Sequence, residues 1–249
     1  MYINTTGVVL RETAYKDSSK ILTVLTGGQG KLTVTARGAL RKNSKFAAVT
    51  QLLVFSEMTL FSSKDRWTLT EARSVEQFIG LRGDIAFLAL GSYFAELTEA
   101  AADEDSPNPE LLPLFLNALY ALSEGLRPPE FIKPVFELRL MGVSGFAPSL
   151  GHCAACGADV SAGASLDIGG GAVYCGGHAR AGGVSLGGGA LNAMRFINGS
   201  DPKKLFAFTA GEAALRELYF AAEEYLLAHL DRGFRTLDYY KKVSLYGSE

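Results

Sequence analysis

The sequence predicts a multidomain α+β protein, with a small barrel of strands at the N-terminus followed by a mostly helical domain that carries an insertion. Three observations predict this organisation. Apolar and polar residues alternate over about the first 75 residues, as in half-buried strands, and after Gly83 apolar residues recur at helical spacing. Eleven of the 30 residues at 161–190 are glycine. The expected domains are 1–80 and 81–249, with the insertion at 150–185.

Five strands are predicted in the first domain, at 3–11, 20–26, 31–37, 51–61 and 67–75. Gly27, Gly28 and Gly30 permit the positive φ that a reversal between the second and third strands needs. Five short strands with no long helix among them are typical of an OB barrel, a fold that often binds single-stranded nucleic acid or oligosaccharides.

Four helices are predicted in the second domain, at 84–102, 110–124, 130–142 and 210–231. Thr209 is a suitable cap for the last helix. Pro134 is expected near the start of the third, where a missing N–H costs least. The glycine-rich stretch should be loose unless something clamps it, because ordering glycine costs entropy and this stretch buries little.

The composition favours a globular protein. Of the 249 residues, 48% are hydrophobic and 20% charged, which suffices for a sizeable core without disulfides. No run approaches the about 18 apolar residues of a membrane span. Residues 1–17 lack the pattern of a signal peptide. We therefore expect an intracellular protein in a reducing compartment, with no membrane partner.

All three cysteines fall in the insertion, in the pattern C-x2-C-x18-C-x2-H formed by Cys153, Cys156, Cys175 and His178. Two ligands three positions apart in a tight turn can both reach one tetrahedral ion, so this spacing predicts one structural zinc ion. Four protein ligands leave no open position for water, which favours a structural role over a catalytic one.

Three alternatives to this zinc site stay open. The cysteines could simply be two buried thiols and a stray one. Cys153 and Cys156 could form a redox pair, although that pair belongs in a strand-to-helix context that the sequence does not provide. His152 could replace His178 as the fourth ligand, but its adjacency to Cys153 makes tetrahedral geometry harder. His229 is expected to be packed or half-exposed in the last predicted helix.

Charge is divided unevenly along the chain. Residues 1–82 hold 12 Lys and Arg against 6 Asp and Glu, and residues 83–249 hold 12 against 20. The two parts therefore carry +6 and −8, although the whole chain carries only −2. A basic first third suggests a module that binds polyanions; chance clustering of surface charge is the alternative.

Four cations lie within residues 37–46, at the end of the third predicted strand. With two lysines of the preceding hairpin, they are the expected nucleic-acid contacts: Lys20, Lys31, Arg37, Arg41, Lys42 and Lys45. A solvated loop is the alternative. Nearby aromatic residues could stack on bases, although each is more often core: Phe46, Phe55, Phe61 and Trp67. We find no catalytic constellation and expect no enzyme.

Several segments together resemble the RecO family of bacterial DNA repair proteins: 7–11 (GVVLR), 17–23 (DSSKILT), 30–39 (GKLTVTARGA), 136–141 (FELRLM), 145–148 (GFAP), 153–156 and 237–242 (LDYYKK). They occur in the right order along nearly the whole chain. The family's zinc-bearing members usually show a second C-x2-C, whereas this sequence has His178 at the last position.

The resemblance implies an OB barrel, a helical domain with a zinc knuckle, and a cytoplasmic, nucleoid-associated mediator of repair and recombination. It implies binding of single- and double-stranded DNA, annealing of complementary strands, and loading of RecA in the RecF pathway. The implied partners are RecR, RecF, RecA and the tail of single-strand-binding protein. The candidate cations for that tail are Arg127, Lys133 and Arg139, which could pair with its terminal carboxylate.

A different class of function is the runner-up: a protein-interaction adaptor whose barrel and zinc knuckle bind other proteins, with DNA incidental. An enzyme acting on nucleic acid comes third. Salt-dependent binding of a single-stranded oligonucleotide discriminates the mediator from the adaptor, and a turnover assay with divalent metal would reveal the enzyme.

Overall fold

The structure, a computed structural model, describes residues 1–64, 66–104 and 106–246. It forms two compact units, one of Met1–Glu124 with Phe234–Glu249 and the other of Gly125–Gly233. The first unit thus groups the barrel with helices that the predicted second domain contains. The two units do not test the predicted domain bounds of 1–80, 81–249 and 150–185, which stay a prediction.

The N-terminal barrel is confirmed. Five strands close in the order β1-β2-β3-β5-β4: β1 Tyr2–Tyr15, β2 Ser19–Thr26, β3 Gly30–Ala36, β4 Phe55–Ser63 and β5 Arg66–Glu76. All pairings are antiparallel except that of β3 with β5. The register aligns Thr23 of β2 with Thr33 of β3.

Alternation decides which side of β3 forms the barrel core. Leu32, Val34 and Ala36 point inward, whereas Thr33 and Thr35 point outward. The fourth strand begins at residue 55 rather than 51, because residues 37–54 form successive turns instead of a strand. These turns place further apolar side chains in the same core, at Phe46 and Val49. Phe46 is therefore a core residue and not a base-stacking one.

The described residues contain six α-helices: α1 Ile85–Ala101, α2 Leu111–Ser123, α3 Pro129–Val143, α4 Gly188–Gly199, α5 Glu212–Leu230 and α6 Arg235–Tyr246. The four predicted helices correspond to α1, α2, α3 and α5. The expected cap at Thr209 is wrong, since α5 begins after Gly211 without a side-chain cap. Pro134 lies inside α3, as the sixth residue of a helix that starts at Pro129, so the expectation that it lies near the start is wrong. None of these helices is long and apolar enough to cross a membrane.

The second unit contains a small sheet that the sequence analysis missed. Strands β6 Gly163–Asp167, β7 Ala172–Tyr174 and β8 Val184–Gly187 pair in the order β7-β6-β8. Leu166, Val173 and Leu186 are buried, together with Ala164 and Tyr174, so one or two apolar side chains on each strand anchor the glycine-rich stretch. The expectation that this stretch buries little was wrong.

Candidate metal centre and basic surface

The four predicted ligands come together from two loops. Cys153 and Cys156 lie in the loop after α3, Cys175 directly follows β7, and His178 ends the single 3-10 turn Gly176–His178. Their ligand atoms all lie within 4.8 Å of one another. Cys153 is buried, whereas Cys156 and His178 are exposed. The sheet thus brings the second pair of ligands against the first.

Three separations between ligand atoms lie close to those of a tetrahedral site, and none of the others exceeds 4.8 Å. The sulfurs of Cys156 and Cys175 are 3.9 Å apart, and His178 Nδ1 lies 3.9 Å from Cys153 Sγ and 3.3 Å from Cys175 Sγ. Zinc at about 2.3 Å from sulfur and about 2.0 Å from nitrogen requires ligand atoms about 3.5–3.8 Å apart. The four side chains can therefore bind a metal ion through three sulfurs and Nδ1, with no position left for solvent.

Backbone amides favour the thiolate form of the buried cysteine. The amide of Cys175, assisted by those of Ala155 and Cys156, lowers the pKa of the Cys153 thiol from 9.0 to about 6, although burial acts in the opposite direction. The Ala158 amide lowers the pKa of Cys156, but this is outweighed by the raising effects of the Cys153 sulfur, burial and Cys175. Since only thiolates bind zinc, the loop favours Cys153 as a ligand.

Neither of the remaining histidines joins the four ligands. His152 is exposed and lies outside the group of four, and its backbone forms a bridge with Asp159. His229 packs in α5, where Nδ1 lies 2.9 Å from the Tyr225 carbonyl oxygen and the ring contacts Phe146. The structure thus selects His178 over His152.

The cations predicted to bind nucleic acid fall into two groups. The basic surface, as we call it, comprises the exposed residues of the turns after β3: Arg37, Arg41, Lys42 and Lys45. Among the described residues, the first three have no side-chain partner. Lys45 donates a hydrogen bond to the Thr70 carbonyl at 3.2 Å and lies over the Phe46 ring.

The two lysines of the β2–β3 hairpin are engaged within the fold. Lys20 pairs with Glu12, and its side chain is only 13% exposed. Lys31 Nζ donates a hydrogen bond to the Glu99 carbonyl at 3.0 Å. Neither ammonium is presented freely to solvent, which weakens the expectation that both contact DNA. The partners of Lys20 and Lys31 lie 8 and 68 positions away in the sequence. Local sequence patterns therefore could not reveal that these lysines are engaged.

Three exposed cations at barrel loops were missed. Lys16 lies in the β1–β2 turn, and Lys64 and Arg66 flank the β4–β5 turn. The amide of Leu40 donates to the Ser18 carbonyl at 2.9 Å, which brings the β1–β2 turn against the basic surface. These cations could have been predicted from the sequence, because ligands of OB barrels contact the loops between strands 1 and 2 and between strands 4 and 5.

The three cations expected to dock a peptide are differently placed. Lys133 is fully buried between Glu137 and Glu223, each at 2.8 Å, so the expectation of a surface cation was wrong there. Arg127 and Arg139 are half-buried, and both donate to backbone carbonyls of the second unit, at Phe206 and Asn198 among others. Their guanidinium groups brace loops within the unit.

Comparison with known proteins identifies the family. The model for the N-terminal part of recombination protein O matches residues 1–78, and that for its C-terminal part matches residues 82–238. The DNA repair protein RecO of Acetivibrio thermocellus is 32% identical over 244 residues, 97% of each chain.

Two further RecO proteins match a shorter stretch. That of Listeria monocytogenes serotype 4b is 37% identical over 151 residues, 61% of this chain and 59% of its own. That of Symbiobacterium thermophilum is 37% identical over 156 residues, 63% and 62% of the two chains. The two family models together cover most of the chain, and on that ground it belongs to the RecO family and has a role in DNA repair and recombination.

Proposed function

We propose that this protein is a non-enzymatic recombination mediator that binds single- and double-stranded DNA through its barrel and anneals complementary strands. The observation that carries the proposal is the basic surface, where three exposed cations have no partner within the described fold. Unpaired cations on a barrel loop attract phosphates without selecting bases, because each neutralised phosphate releases counterions. Annealing needs the same charge, since two polyanions must approach each other.

The remaining parts of the role rest on family membership. The mediator would help to load RecA together with RecR, and with RecF in the same pathway, on DNA coated by single-strand-binding protein. The tail of that protein would dock on the helical domain near Arg127 and Arg139. A cytoplasmic, nucleoid-associated location belongs to the same proposal.

A single structural zinc ion completes the proposal, bound by Cys153, Cys156, Cys175 and His178. The grouping of the four ligand atoms within 4.8 Å of one another supports it. Zinc would fix the loop after α3 to the end of β7, and this chain's own residues would supply all four ligands. Its contribution would be to local folding, not to catalysis.

The test is the salt dependence of binding to a single-stranded oligonucleotide. If about four phosphates are neutralised, log affinity falls against log salt with a slope near −3. Replacing Arg37, Arg41 and Lys42 together with Ala should flatten the slope by about 2 for every sequence, and annealing should slow in parallel. Folding should hardly change, because all three are exposed.

The matched control removes three exposed cations elsewhere: Lys203, Lys204 and Lys242. It should leave the slope within about 0.5 of the unmodified protein, on the same counterion reasoning. A flattened slope in the control, with none in the first variant, would place the DNA surface elsewhere. No salt-dependent binding by the unmodified protein would favour the adaptor function instead.

A further inference from the structure

The outward face of strands β2 and β3 is divided into an open half and a covered half. Register places Ile21 opposite Thr35, Thr23 opposite Thr33, and Leu25 opposite Lys31 on this face. Thr33 is exposed, yet Thr23 and Leu25 are only 7% and 2% exposed although they point away from the barrel core. Something outside the barrel therefore covers the half that lies near Leu25.

The end of α1 and the segment after it provide the cover. The Glu99 carboxylate lies 2.8 Å from the Arg11 guanidinium, which also donates to Thr23 Oγ1 at 3.3 Å. Beyond α1, the Lys31 amide donates to the Asp103 carbonyl at 3.1 Å, and Lys31 forms a parallel bridge with Glu104. The segment thus continues the sheet along the edge of β3 that β5 leaves unpaired.

A glycine permits this close approach. Gly30 has a φ of +67°, and a Cβ built there would lie 2.6 Å from the Ser106 carbonyl oxygen. Only glycine suits both the conformation and the contact. The segment is therefore held against β3 by backbone bonding and close packing.

The part of the chain that includes the covering segment is strongly acidic. Residues 83–124 contain eight Asp and Glu and no Lys or Arg. The side chains of Asp103 and Glu104 are exposed and have no partner among the described residues. Because backbone groups hold the segment, these two charges are not needed to attach it. The two carboxylates are exposed to solvent, beside the path that a nucleic-acid strand would take across β2 and β3.

We propose that Asp103 and Glu104, here called the acidic barrier, end the nucleic-acid path on the barrel and confine DNA to the open half beside the basic surface. A strand that continued towards Leu25 would bring phosphates within about one Debye length, about 8 Å, of two unpaired carboxylates. Repulsion there would limit the number of nucleotides bound. This inference rests on the proposed binding of DNA by the barrel.

The test compares the variant Asp103→Asn/Glu104→Gln with a control of equal net charge, Glu130→Gln/Glu224→Gln, whose carboxylates are exposed in the second unit. Affinity for an oligonucleotide of deoxythymidines should rise about threefold in the barrier variant, if each carboxylate acts on about three phosphates near 10 Å. The occluded site should lengthen, and the salt slope should steepen by about 0.7 for each phosphate gained. The control should change neither site length nor slope.

Equal site length and slope in the barrier variant, the control and the unmodified protein would overturn the acidic barrier while leaving DNA binding intact. Failure of the unmodified protein to bind the oligonucleotide would instead overturn the proposed function, and the barrier with it. Loss of the barrier variant's fold would contradict the argument that these two carboxylates are not needed to hold the segment, and circular dichroism would detect it.

Discussion

The buried lysine of α3 offers a demanding prediction about stability. Lys133 Nζ lies 2.8 Å from Glu137 on its own helix, 2.8 Å from Glu223 on α5, and 4.2 Å from the centre of the Tyr219 ring. Lys133 and Glu137 are completely buried. Substituting Lys133→Met keeps most of the apolar stem but removes the cation that faces both carboxylates.

The expected cost follows from burial. Breaking a buried ion pair by removing one partner costs about 3–5 kcal/mol, because an uncompensated charge is left in a poorly polarisable site. Removing all three charges, as in Lys133→Met/Glu137→Gln/Glu223→Gln, leaves no charge to desolvate. The triple variant should therefore recover most of the loss, so that the effects are strongly non-additive.

Native-state hydrogen exchange of the α3 and α5 amides measures this directly. A loss of 3–5 kcal/mol corresponds to exchange about 150- to 4,000-fold faster in Lys133→Met, at 1.4 kcal/mol for each factor of ten. The control Glu224→Gln removes the exposed neighbour of Glu223 and should change exchange by no more than about twofold. Exchange in Lys133→Met equal to that of the control, or a triple variant as unstable as the single one, would refute the reasoning.

Three further predictions concern the zinc site, Gly30 and the peptide surface. Protein purified without chelator should contain about one zinc per chain by metal analysis, and less than about a tenth of a zinc per chain would contradict the site. Cys153→Ser should abolish zinc binding and speed proteolysis near 150–185. Gly30→Ala should lower the urea midpoint by more than Gly28→Ala, whose added Cβ meets nothing within 4 Å. A labelled acidic tail peptide should bind the full chain below about 100 μM, and more weakly after Arg127→Ala; no binding at that concentration rejects docking.

The cysteine site was predictable because its information is local. Two ligands three residues apart indicate a turn from which both can bind one ion, and the sequence contains two such pairs. The structure brings those four residues together. The strands of the barrel were predictable for a similar reason, since alternation along β3 specifies its buried side. The sheet at 163–187 was not, because three short strands with one or two buried side chains apiece give too little periodic signal.

The sequence does not predict which charges of the barrel are paired in the fold. A count gives residues 1–82 a charge of +6, yet Arg11 and Lys31 meet Glu99 and the residues after it, which lie 68 to 88 positions away. Folding therefore pairs Arg11 with a carboxylate and Lys31 with a carbonyl oxygen where α1 covers the barrel. It leaves Arg37, Arg41 and Lys42 in the turns after β3 without a side-chain partner among the described residues. The potential available to a polyanion depends on those unpaired cations and on the acidic barrier, not on the total. The acidic residues after α1 thus help to decide which half of the barrel stays positive.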